Sequence, residues 1–399
     1  MAIQVSGTEV ISNARALNNI ASADATTVAT LNAAGVGGGF KPVSVSGTTQ
    51  ALNLGSYNFF NANTLSTNAT LSFTSVPTNA LWDYTYTAGI VSAYSFSAPV
   101  PYNGLKYYVG GTINGANSEI RDVKLSADGT KMYVLSDFSN TVYQFTLSTP
   151  SDVTTATYSG LSSSLASQGT APRSIWFSPD GLRMYAVHYS QGRIFQSSLS
   201  TAWNISTRSY TGNSILIYPS LGGDPEGAVL STDGTKMYVV GTNYGYIYQY
   251  NLGTTWDVST ASYSGIRLYV SQETTQRGVL FNPTGTVAVV VGTSNKAYRI
   301  TLSTPWNIGT GTYDTSITSA GNTWPEGAAW SPDGSMMYIA SYGDNTIYQY
   351  TTGLGPAITT PASVQNPPTI STSPSDQVTY TFVTNDGGTT VKLIGEEIT

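Results

Sequence analysis

The sequence predicts an all-β protein whose largest part is a five-bladed β-propeller. A phrase of short strands and a tight turn recurs five times along the 399 residues, and its first copy is EIRDVKLSADGTKMYVLSD. The copies align on Gly129, Gly181, Gly234, Gly285 and Gly334, which lie 52, 53, 51 and 49 positions apart. A repeat of about 50 residues that is built from strands and turns is typical of a propeller or a solenoid.

Each repeat predicts four strands. The first strand ends in Leu, Phe or Trp just before a turn, usually Asp-Gly, which supplies the positive φ that a two-residue hairpin requires. A second strand of the Met-Tyr-Val type follows, and the third alternates with the period of a half-buried strand, as in NTVYQF. The fourth strand is rich in Thr and Ser. The repeated turn residues Asp128, Asp180, Asp233 and Asp333 are therefore interpreted as structural.

The ring is predicted to close with a strand from outside the last repeat. After Tyr350 the chain continues as TTGLGPAITTPASVQNPP, so the fifth repeat lacks a fourth strand. Residues 91–111 contain the Tyr-x-Gly-hydrophobic-x-Tyr-Val order of the fourth strand in the third repeat. Pairing this segment with the last three strands leaves no open edge, and unpaired edges promote aggregation. We therefore predict five blades over residues 91–352, with a sixth, degenerate blade as the alternative.

The segments outside the propeller are short. We predict a separate N-terminal segment over residues 1–40, a small β module over 41–90, a Pro/Ser/Thr-rich linker over 353–378 and a C-terminal β-hairpin over 379–399. The first segment is expected to contain a short helix after Asp24. Because short strands and one short helix bury little surface alone, residues 1–90 are expected to mediate assembly of the chain into a homotrimer.

Composition and charge exclude several classes of partner. The net charge is −6, the isoelectric point is near 4.7 and no basic cluster occurs, which argues against nucleic acid as a partner. No apolar run approaches the ~18 residues of a membrane span, so no membrane insertion is expected. The opening MAIQVSGTEV lacks the features of a signal peptide. The absence of cysteine excludes a disulfide framework.

The terminal segments resemble those of phage virion proteins. The opening MAIQVSGTEVISNARALNNI, followed by NLGSYNFF, TLSFTSVP and WDYTYT, is similar to the N-terminal part of tail-fibre and related virion proteins of tailed bacteriophages. The segment TYTFVTNDGGTTVKLIG resembles the ends of such proteins, and the repeats resemble the SPDG…MYV propellers of lactonase-like, YVTN-like and phage structural proteins. The resemblance implies that residues 1–40 anchor the chain in the phage particle and that other virion proteins are partners of residues 1–90.

One column of the repeat alignment is charged in every copy. The residues eight positions before the turn glycines are Arg121, Arg173, Glu226, Arg277 and Glu326, and the first strand is expected to place them at the mouth of the central channel. Every neighbouring pair around the ring except Arg121 and Arg173 is opposite in charge. One interpretation is a structural belt of ion pairs that keeps the blades in register. The other is a site for an anion or another ligand beside the two like-charged arginines.

No catalytic group or metal site is predicted. A metal in the channel would need converging carboxylate, Asn or His ligands, and three of the five charged positions are cationic. His188, the single histidine, occupies a column otherwise filled by Ser and Gly and is expected to be a solvated loop residue. No Ser-His-acid order and no phosphate-binding glycine loop occurs in the sequence. We therefore predict no catalytic residue, no metal and no cofactor.

The loops between the second and third strands form the candidate binding surface. They share a face with the charged column and carry aromatic and amide side chains, which suit sugars because the apolar ring faces stack while the hydroxyl groups form hydrogen bonds. The candidate glycan-binding residues are Phe138, Tyr189, Tyr244, Tyr342, Asn140, Asn243 and Asn345, with Asp137 and Asp344 beside them. Trp203, Trp256 and Trp306 recur regularly and are expected to pack between blades instead.

The function predicted from these observations is structural and non-enzymatic. The chain is expected to be a fibre-type or spike-type virion protein that displays a propeller, with a host-surface polysaccharide as its candidate ligand. Two alternatives stay open: a lactonase-like propeller hydrolase, and a purely structural capsid or tail decoration protein. A bacterial surface adhesin is a further alternative, and it would be expected to carry an export signal.

Overall fold

The computed structural model divides the chain into two compact units. One is the propeller, Ser92–Gly353, and the other is a terminal module made of Met1–Val91 together with Leu354–Thr399. The described residues are 3–5, 8–11, 43–55, 59–66, 68–88, 102–109, 113, 118–217, 224–242, 245–318, 324–352, 358–365, 367, 377–386 and 388–398. No helix in these ranges is long and apolar enough to cross a membrane.

The N-terminal part of the chain contributes seven strands to the terminal module. A short antiparallel hairpin pairs β1 (Ile3–Val5) with β2 (Thr8–Ile11). The next five strands are β3 (Val43–Ser44), β4 (Thr49–Asn53), β5 (Phe59–Leu65), β6 (Ala69–Thr74) and β7 (Ala80–Ala88). Residues 12–42, which include the expected short helix and most of the predicted anchoring segment, lie outside the described part of the chain.

The propeller consists of five antiparallel sheets of four strands, which confirms the predicted number of blades. Its strands begin with β8 (Tyr102–Tyr108). Blade 1 contains β9 (Ile120–Leu125), β10 (Lys131–Ser136), β11 (Thr141–Leu147) and β12 (Ala156–Ser164), and blade 2 contains β13 (Pro172–Phe177), β14 (Arg183–His188), β15 (Arg193–Leu199) and β16 (Arg208–Leu216). Blade 3 contains β17 (Pro225–Leu230), β18 (Lys236–Gly241), β19 (Tyr246–Leu252) and β20 (Ala261–Tyr269).

Blade 5 takes its fourth strand from the segment that precedes blade 1. Blade 4 is complete, with β21 (Gln276–Phe281), β22 (Val287–Gly292), β23 (Lys296–Leu302) and β24 (Gly311–Thr318). Blade 5 contains β25 (Pro325–Trp330), β26 (Met336–Ser341) and β27 (Thr346–Thr351), and β8 pairs antiparallel with β27. The predicted closure of the ring is therefore observed, and it leaves β27 without an open edge.

The loop before the fourth strand carries a repeated structure in the first four blades. Each loop ends in a 3₁₀ turn whose first residue is buried, and these turns are Val153–Thr155, Ile205–Thr207, Val258–Thr260 and Ile308–Thr310. Asp152, and Asn or Asp in the other blades, caps the turn with its side chain. In blades 2–4 a tryptophan precedes the cap, and its indole covers the turn glycine of its own blade so closely that a Cβ there would overlap it.

In each of the first four blades, this loop forms two hydrogen bonds with the preceding blade of the ring, and we call this pair of bonds the latch. The tyrosine hydroxyl of the second strand donates to the carbonyl oxygen of the loop in the next blade, as from Tyr133 to Trp203 at 2.6 Å and from Tyr238 to Trp306 at 2.6 Å. The glutamine of the third strand accepts from the first amide of the next 3₁₀ turn, as when Gln144 accepts from Ile205 at 3.0 Å. Blades 2 and 5 form the same bonds with blades 3 and 1.

The joint between blades 4 and 5 has no latch among the described residues, and the sequence of blade 4 differs accordingly. Blade 5 has no loop of this kind because its fourth strand comes from β8. In blade 4 the tyrosine of the latch is replaced by the fully buried Val289, and the glutamine is replaced by Arg299, which forms an ion pair with Asp314. The valine removes a hydroxyl group that would have no partner in blade 5, and the arginine finds its partner within blade 4.

The terminal module is a pair of packed sheets to which both ends of the chain contribute. The C-terminal strands are β28 (Ile358–Thr359), β29 (Val364–Gln365), β30 (Gln377–Thr384) and β31 (Val391–Ile398). One sheet has the order β28-β6-β4, and the other has the order β29-β31-β30-β7-β5-β3. The core between them includes Trp82 stacked on Phe382 at 5.6 Å, and Tyr84, whose hydroxyl donates to Gln50 at 2.8 Å.

The terminal module differs from the predicted division into a β module, a linker and a hairpin. The strands β30 and β31 pair as an antiparallel hairpin, but β30 also pairs along its whole length with β7, from Gln377 opposite Thr87 to Thr384 opposite Ala80. Two short strands, β28 and β29, lie within the segment predicted as linker. The reason is that β7 alternates buried and partly buried side chains over its last seven residues and requires a partner on each edge, which the local sequence does not identify.

Candidate binding site

The charged column forms a connected belt at one end of the propeller channel. Each of its five residues is the second residue of the first strand of a blade, so the ring places them at one level. Arg121 binds Glu326 at 2.9 Å, Arg277 binds Glu226 at 2.7 Å, and Arg173 lies 3.4 Å from Glu226. Oppositely charged residues of the column therefore form ion pairs at three of the five joints between blades.

Asp137 joins the two like-charged neighbours, a role that the column alone does not reveal. Its Oδ2 accepts from Arg121 at 3.0 Å and also from Arg173, so it lies between the two guanidinium groups. Asp137 follows β10 directly, and its backbone amide donates to Glu119 at 3.0 Å, which holds the side chain over the joint of blades 1 and 2. We use "charged belt" for Arg121, Asp137, Arg173, Glu226, Arg277 and Glu326.

The charged belt is open at the joint between blades 4 and 5. No ion pair joins Arg277 to Glu326 in the described ranges, although Arg277 is near enough to lower the pKa of Glu326. The side chain of Arg277 is 23% exposed, against 10% for Arg121 and 14% for Arg173. It forms an ion pair with one carboxylate, whereas Arg121 and Arg173 each form ion pairs with two, so this guanidinium is the least engaged of the three.

Burial raises the pKa values of the two glutamates of the belt. Desolvation raises the pKa of Glu226 to about 7, against the opposing effects of Arg277 and Arg173. Desolvation also raises the pKa of Glu326, which Arg121 partly offsets. With all six groups ionised the belt is neutral, and protonation of either glutamate leaves a net positive charge that favours an anion over a cation.

A cavity of about 260 Å³ lies at the open part of the belt. Its lining combines belt residues with aromatic and small side chains: Arg121, Arg173, Arg277, Thr293, Trp324, Pro325, Glu326 and Tyr342. Trp324 is 57% exposed, and its ring stacks on Tyr342 at 5.6 Å with an interplanar angle of 26°. The guanidinium of Arg121 lies 3.9 Å from the centre of the Tyr342 ring on the same stack. Trp324 was not among the residues predicted from the sequence.

Two of the remaining aromatic candidates, Tyr189 and Phe138, lie beside the belt. The Arg173 guanidinium lies 5.0 Å from the centre of the Tyr189 ring, and burial together with a hydrogen bond to Asp224 raises the pKa of the Tyr189 hydroxyl. Phe138, which follows Asp137, is 55% exposed. Tyr244 and Asn243 lie outside the described residues.

The amide candidates Asn140 and Asn345 hold blades together. Asn140 accepts from the amide of Ala171 at 3.1 Å, and Asn345 accepts from the amide of Ile120 at 3.3 Å, each at the start of the next blade. Both have positive φ, 49° and 53°, and Gly192 and Gly245 take the same place in blades 2 and 3. This column therefore selects residues that tolerate the left-handed region, and we leave both amides out of the binding site.

His188 is a buried residue at the end of β14, so the expectation of a solvated loop imidazole is wrong. Its side chain has no exposure and meets Phe195 edge to face at 5.0 Å. Desolvation lowers the pKa of His188 to about 4, so the ring is neutral at pH 7. The column is otherwise filled by Ser and Gly because the start of the neighbouring strand approaches it closely, as Asp224 approaches Gly241.

Directly below the belt, the channel contains a buried carboxylate. Asp122, fully buried, accepts from Ser174 at 2.8 Å and from the amide of Ile175 at 2.9 Å. Gly327 faces it from blade 5, where a Cβ would overlap the carboxylate. In the described ranges, no group of three His, Asp or Glu residues is placed to hold a metal ion.

Comparisons with known proteins find similarity of fold only. No family model matches the chain, and no curated protein matches it. A functionally unknown protein from Desulfotomaculum acetoxidans matches over 71% of this chain and 86% of its own, at 15% identity and a TM-score of 0.37. The periplasmic gluconolactonase of Pseudomonas aeruginosa matches over 50% of this chain and 55% of its own, at 16% identity and a TM-score of 0.34. Both identities are below 25% and both TM-scores are below 0.5, so neither likeness indicates a function for this chain.

Proposed function

We propose that this chain is a non-enzymatic structural protein of a phage particle, a fibre or spike subunit whose propeller binds a polysaccharide of the host surface. The observation that carries the binding role is the exposed Trp324, stacked on Tyr342 at the rim of a polar cavity. A rigid, partly exposed aromatic surface beside hydrogen-bonding groups is the arrangement that a sugar ring requires. The virion role is supported by the resemblance of the terminal segments to tail-fibre proteins.

The contacts of the charged side chains at this face, and the burial of the histidine, support binding rather than hydrolysis. The belt carboxylates contact arginines, and the single imidazole is buried and distant from solvent. A hydrolase needs a base or a nucleophile that can reach the substrate. The aromatic face needs only stacking and hydrogen bonds, and several copies on one particle would multiply weak contacts.

We propose further that residues 1–90 connect the chain to other virion proteins and to other copies, as a homotrimer. The support is the resemblance of this region to virion-anchoring segments. Insufficient burial within residues 1–90 does not support the homotrimer, since residues 43–88 share a core with the C-terminal strands of the same chain.

The experiment is adsorption of particles that carry the protein, measured as the fraction bound to host cells. Phe138→Ala combined with Trp324→Ala should lower adsorption and leave the fold intact, because both side chains are more than half exposed. Tyr313→Ala is the matched control, since Tyr313 is 42% exposed on the outer strand β24 of blade 4. Equal adsorption by both variants would exclude the face as a receptor site. Absence of the protein from purified particles would exclude the virion role, and turnover of a lactone by the purified protein would favour the hydrolase.

A further inference from the structure

We infer that the open joint of the charged belt is a binding site for a carboxylated sugar, such as a hexuronate unit of an acidic polysaccharide. We call it the seam site: Arg277, Thr293, Trp324, Pro325 and Glu326, between blades 4 and 5. The inference rests on the proposed function and names the class of glycan and the groups that bind it.

The seam site is the one part of the described belt where an arginine is left without a second acidic contact. Arg121 forms hydrogen bonds with both Asp137 and Glu326, and Arg173 contacts both Asp137 and Glu226. Arg277 forms an ion pair with one carboxylate, through a hydrogen bond from Nη1 to Glu226, and its buried Nε, like that of Arg173, has no hydrogen-bond partner. A guanidinium has five N–H donors in a planar fork, so Arg277 retains donors that match a carboxylate.

The joint is open because no loop residue in the described part of the chain supplies a second acid there. At the joint of blades 1 and 2 the loop residue Asp137 supplies the missing acid. At the seam the corresponding loop residue is Thr293, which follows β22 and is exposed.

Trp324 provides the second requirement of a sugar site, which is a flat aromatic surface held in a fixed position. It stacks on Tyr342, and the amide of Tyr342 donates to the Trp324 carbonyl at 3.0 Å. Arg121 supports the Tyr342 ring from below. A pyranose ring stacked on Trp324 would direct its substituents into the cavity toward Arg277 and Glu326.

The charge of the site selects an acid over a neutral sugar. Three arginines face three carboxylates in the belt, and burial raises the pKa of Glu226 to about 7 and also raises the pKa of Glu326. Near neutral pH the belt is therefore short of negative charge, and a ligand carboxylate restores the balance. Glu326 and Thr293 remain as partners for sugar hydroxyl groups.

The test compares trigalacturonate with its methyl ester, using the full-length protein and isothermal titration calorimetry at pH 6.5. The two ligands share the sugar ring and differ in charge. Trigalacturonate should bind at least tenfold more tightly than the ester. Thr293→Glu should lower the affinity for the acid by about ten- to a hundredfold and leave ester binding nearly unchanged, because it adds a negative charge at an exposed position.

Four further variants separate the contributions. Thr293→Gln is the neutral control and should bind the acid like the unaltered protein. Arg277→Gln should reduce acid binding to the level of the ester, and Trp324→Ala should weaken both ligands. Arg183→Gln, which removes an exposed arginine paired with Asp180 elsewhere in blade 2, should change neither.

The outcomes distinguish this inference from the proposed function. Equal binding of acid and ester, unaffected by Thr293→Glu, would overturn the acidic-sugar site and leave a neutral glycan as the ligand of the same face. No binding of either ligand, by a protein that still mediates particle adsorption, would overturn the seam site alone. No binding, together with unchanged adsorption in the Phe138/Trp324 variant, would overturn both.

Discussion

At the scale of single residues, burial shifts two titratable groups of the propeller in opposite directions. Glu226 has a raised pKa, so it favours the folded state most strongly below pH 4.5, and that contribution is lost as the pH rises through about 7. His188 has a lowered pKa, so its contribution to stability is present above pH 6.5 and is lost as the pH falls toward about 4. The two effects overlap between pH 4.5 and 6.5, and only a substitution separates them.

His188→Ser should reduce the acid sensitivity of the fold, because serine fills this column in blades 1 and 5. The shift from 6.5 to about 4 corresponds to about 3 kcal/mol, which the unaltered protein loses relative to the variant between pH 7 and pH 4. The variant itself should be less stable at pH 7, since a buried ring is replaced by a small side chain. The measurement is the free energy of unfolding in urea at both pH values. Parallel pH profiles for the two proteins would contradict the assignment.

The residue scale also shows what the sequence could not predict. The charged column was visible as five aligned residues, because it follows from the repeat alone. Asp137 and Trp324 complete the belt and the cavity, but each occurs in one blade and is not repeated. Asn140 and Asn345 looked like ligands because amides bind sugars, while their positive φ is a backbone property that only the structure shows.

At the scale of the structural element, the latch explains why blade 4 departs from the repeat at two positions, those of the latch tyrosine and the latch glutamine. The missing fourth strand of the fifth repeat is visible in the sequence, but its connection with Val289 and Arg299 is not. The connection is a hydrogen bond made by each blade to the next, so the residue that changes lies in the blade before the missing loop. The pairing of β7 with β30 left no such signal, because its partners are about 300 residues apart and neither strand repeats.

Gln196→Met and Arg299→Met form a matched pair that tests the latch. Gln196 accepts from the buried amide of Val258 at 3.1 Å, and the substitution leaves that amide without a partner, at a cost of about 1–3 kcal/mol. Arg299 occupies the same place in blade 4 and pairs with the partly exposed Asp314, an interaction worth about 1 kcal/mol or less. Urea unfolding at pH 7 should therefore show a larger loss for Gln196→Met. A larger loss for Arg299→Met would contradict the role of the glutamine column.

At the scale of the whole molecule, the two units differ in how the chain completes them. The propeller is closed by β8, which ends 12 positions before blade 1 begins at Ile120, and the terminal module is completed by strands from the opposite end of the chain. Each unit therefore needs a segment that a division by sequence order would assign elsewhere. This changes which deletions are expected to leave a folded protein.

A fragment of residues 92–353 should fold alone as a monomeric propeller, whereas residues 112–353 should not. The longer fragment keeps β8, whose Tyr108 and Tyr107 pair with Thr346 and Ile347 in β27. Without β8 the buried strand β27 becomes an open edge beside an apolar surface, and such edges pair between molecules.

Size-exclusion chromatography with light scattering, together with near-ultraviolet circular dichroism, distinguishes the two outcomes. Residues 92–353 should elute as a monomer with fixed aromatic signals, and residues 112–353 should form aggregates or lose those signals. Deletion of residues 1–91 alone is the informative control, because it removes β7 and leaves β30 and β31 with their apolar face, Tyr380 and Phe382, uncovered. That protein should aggregate more than residues 92–353. If instead it is an equally stable monomer, the C-terminal strands do not need β7, and the shared core of the terminal module is not what holds them.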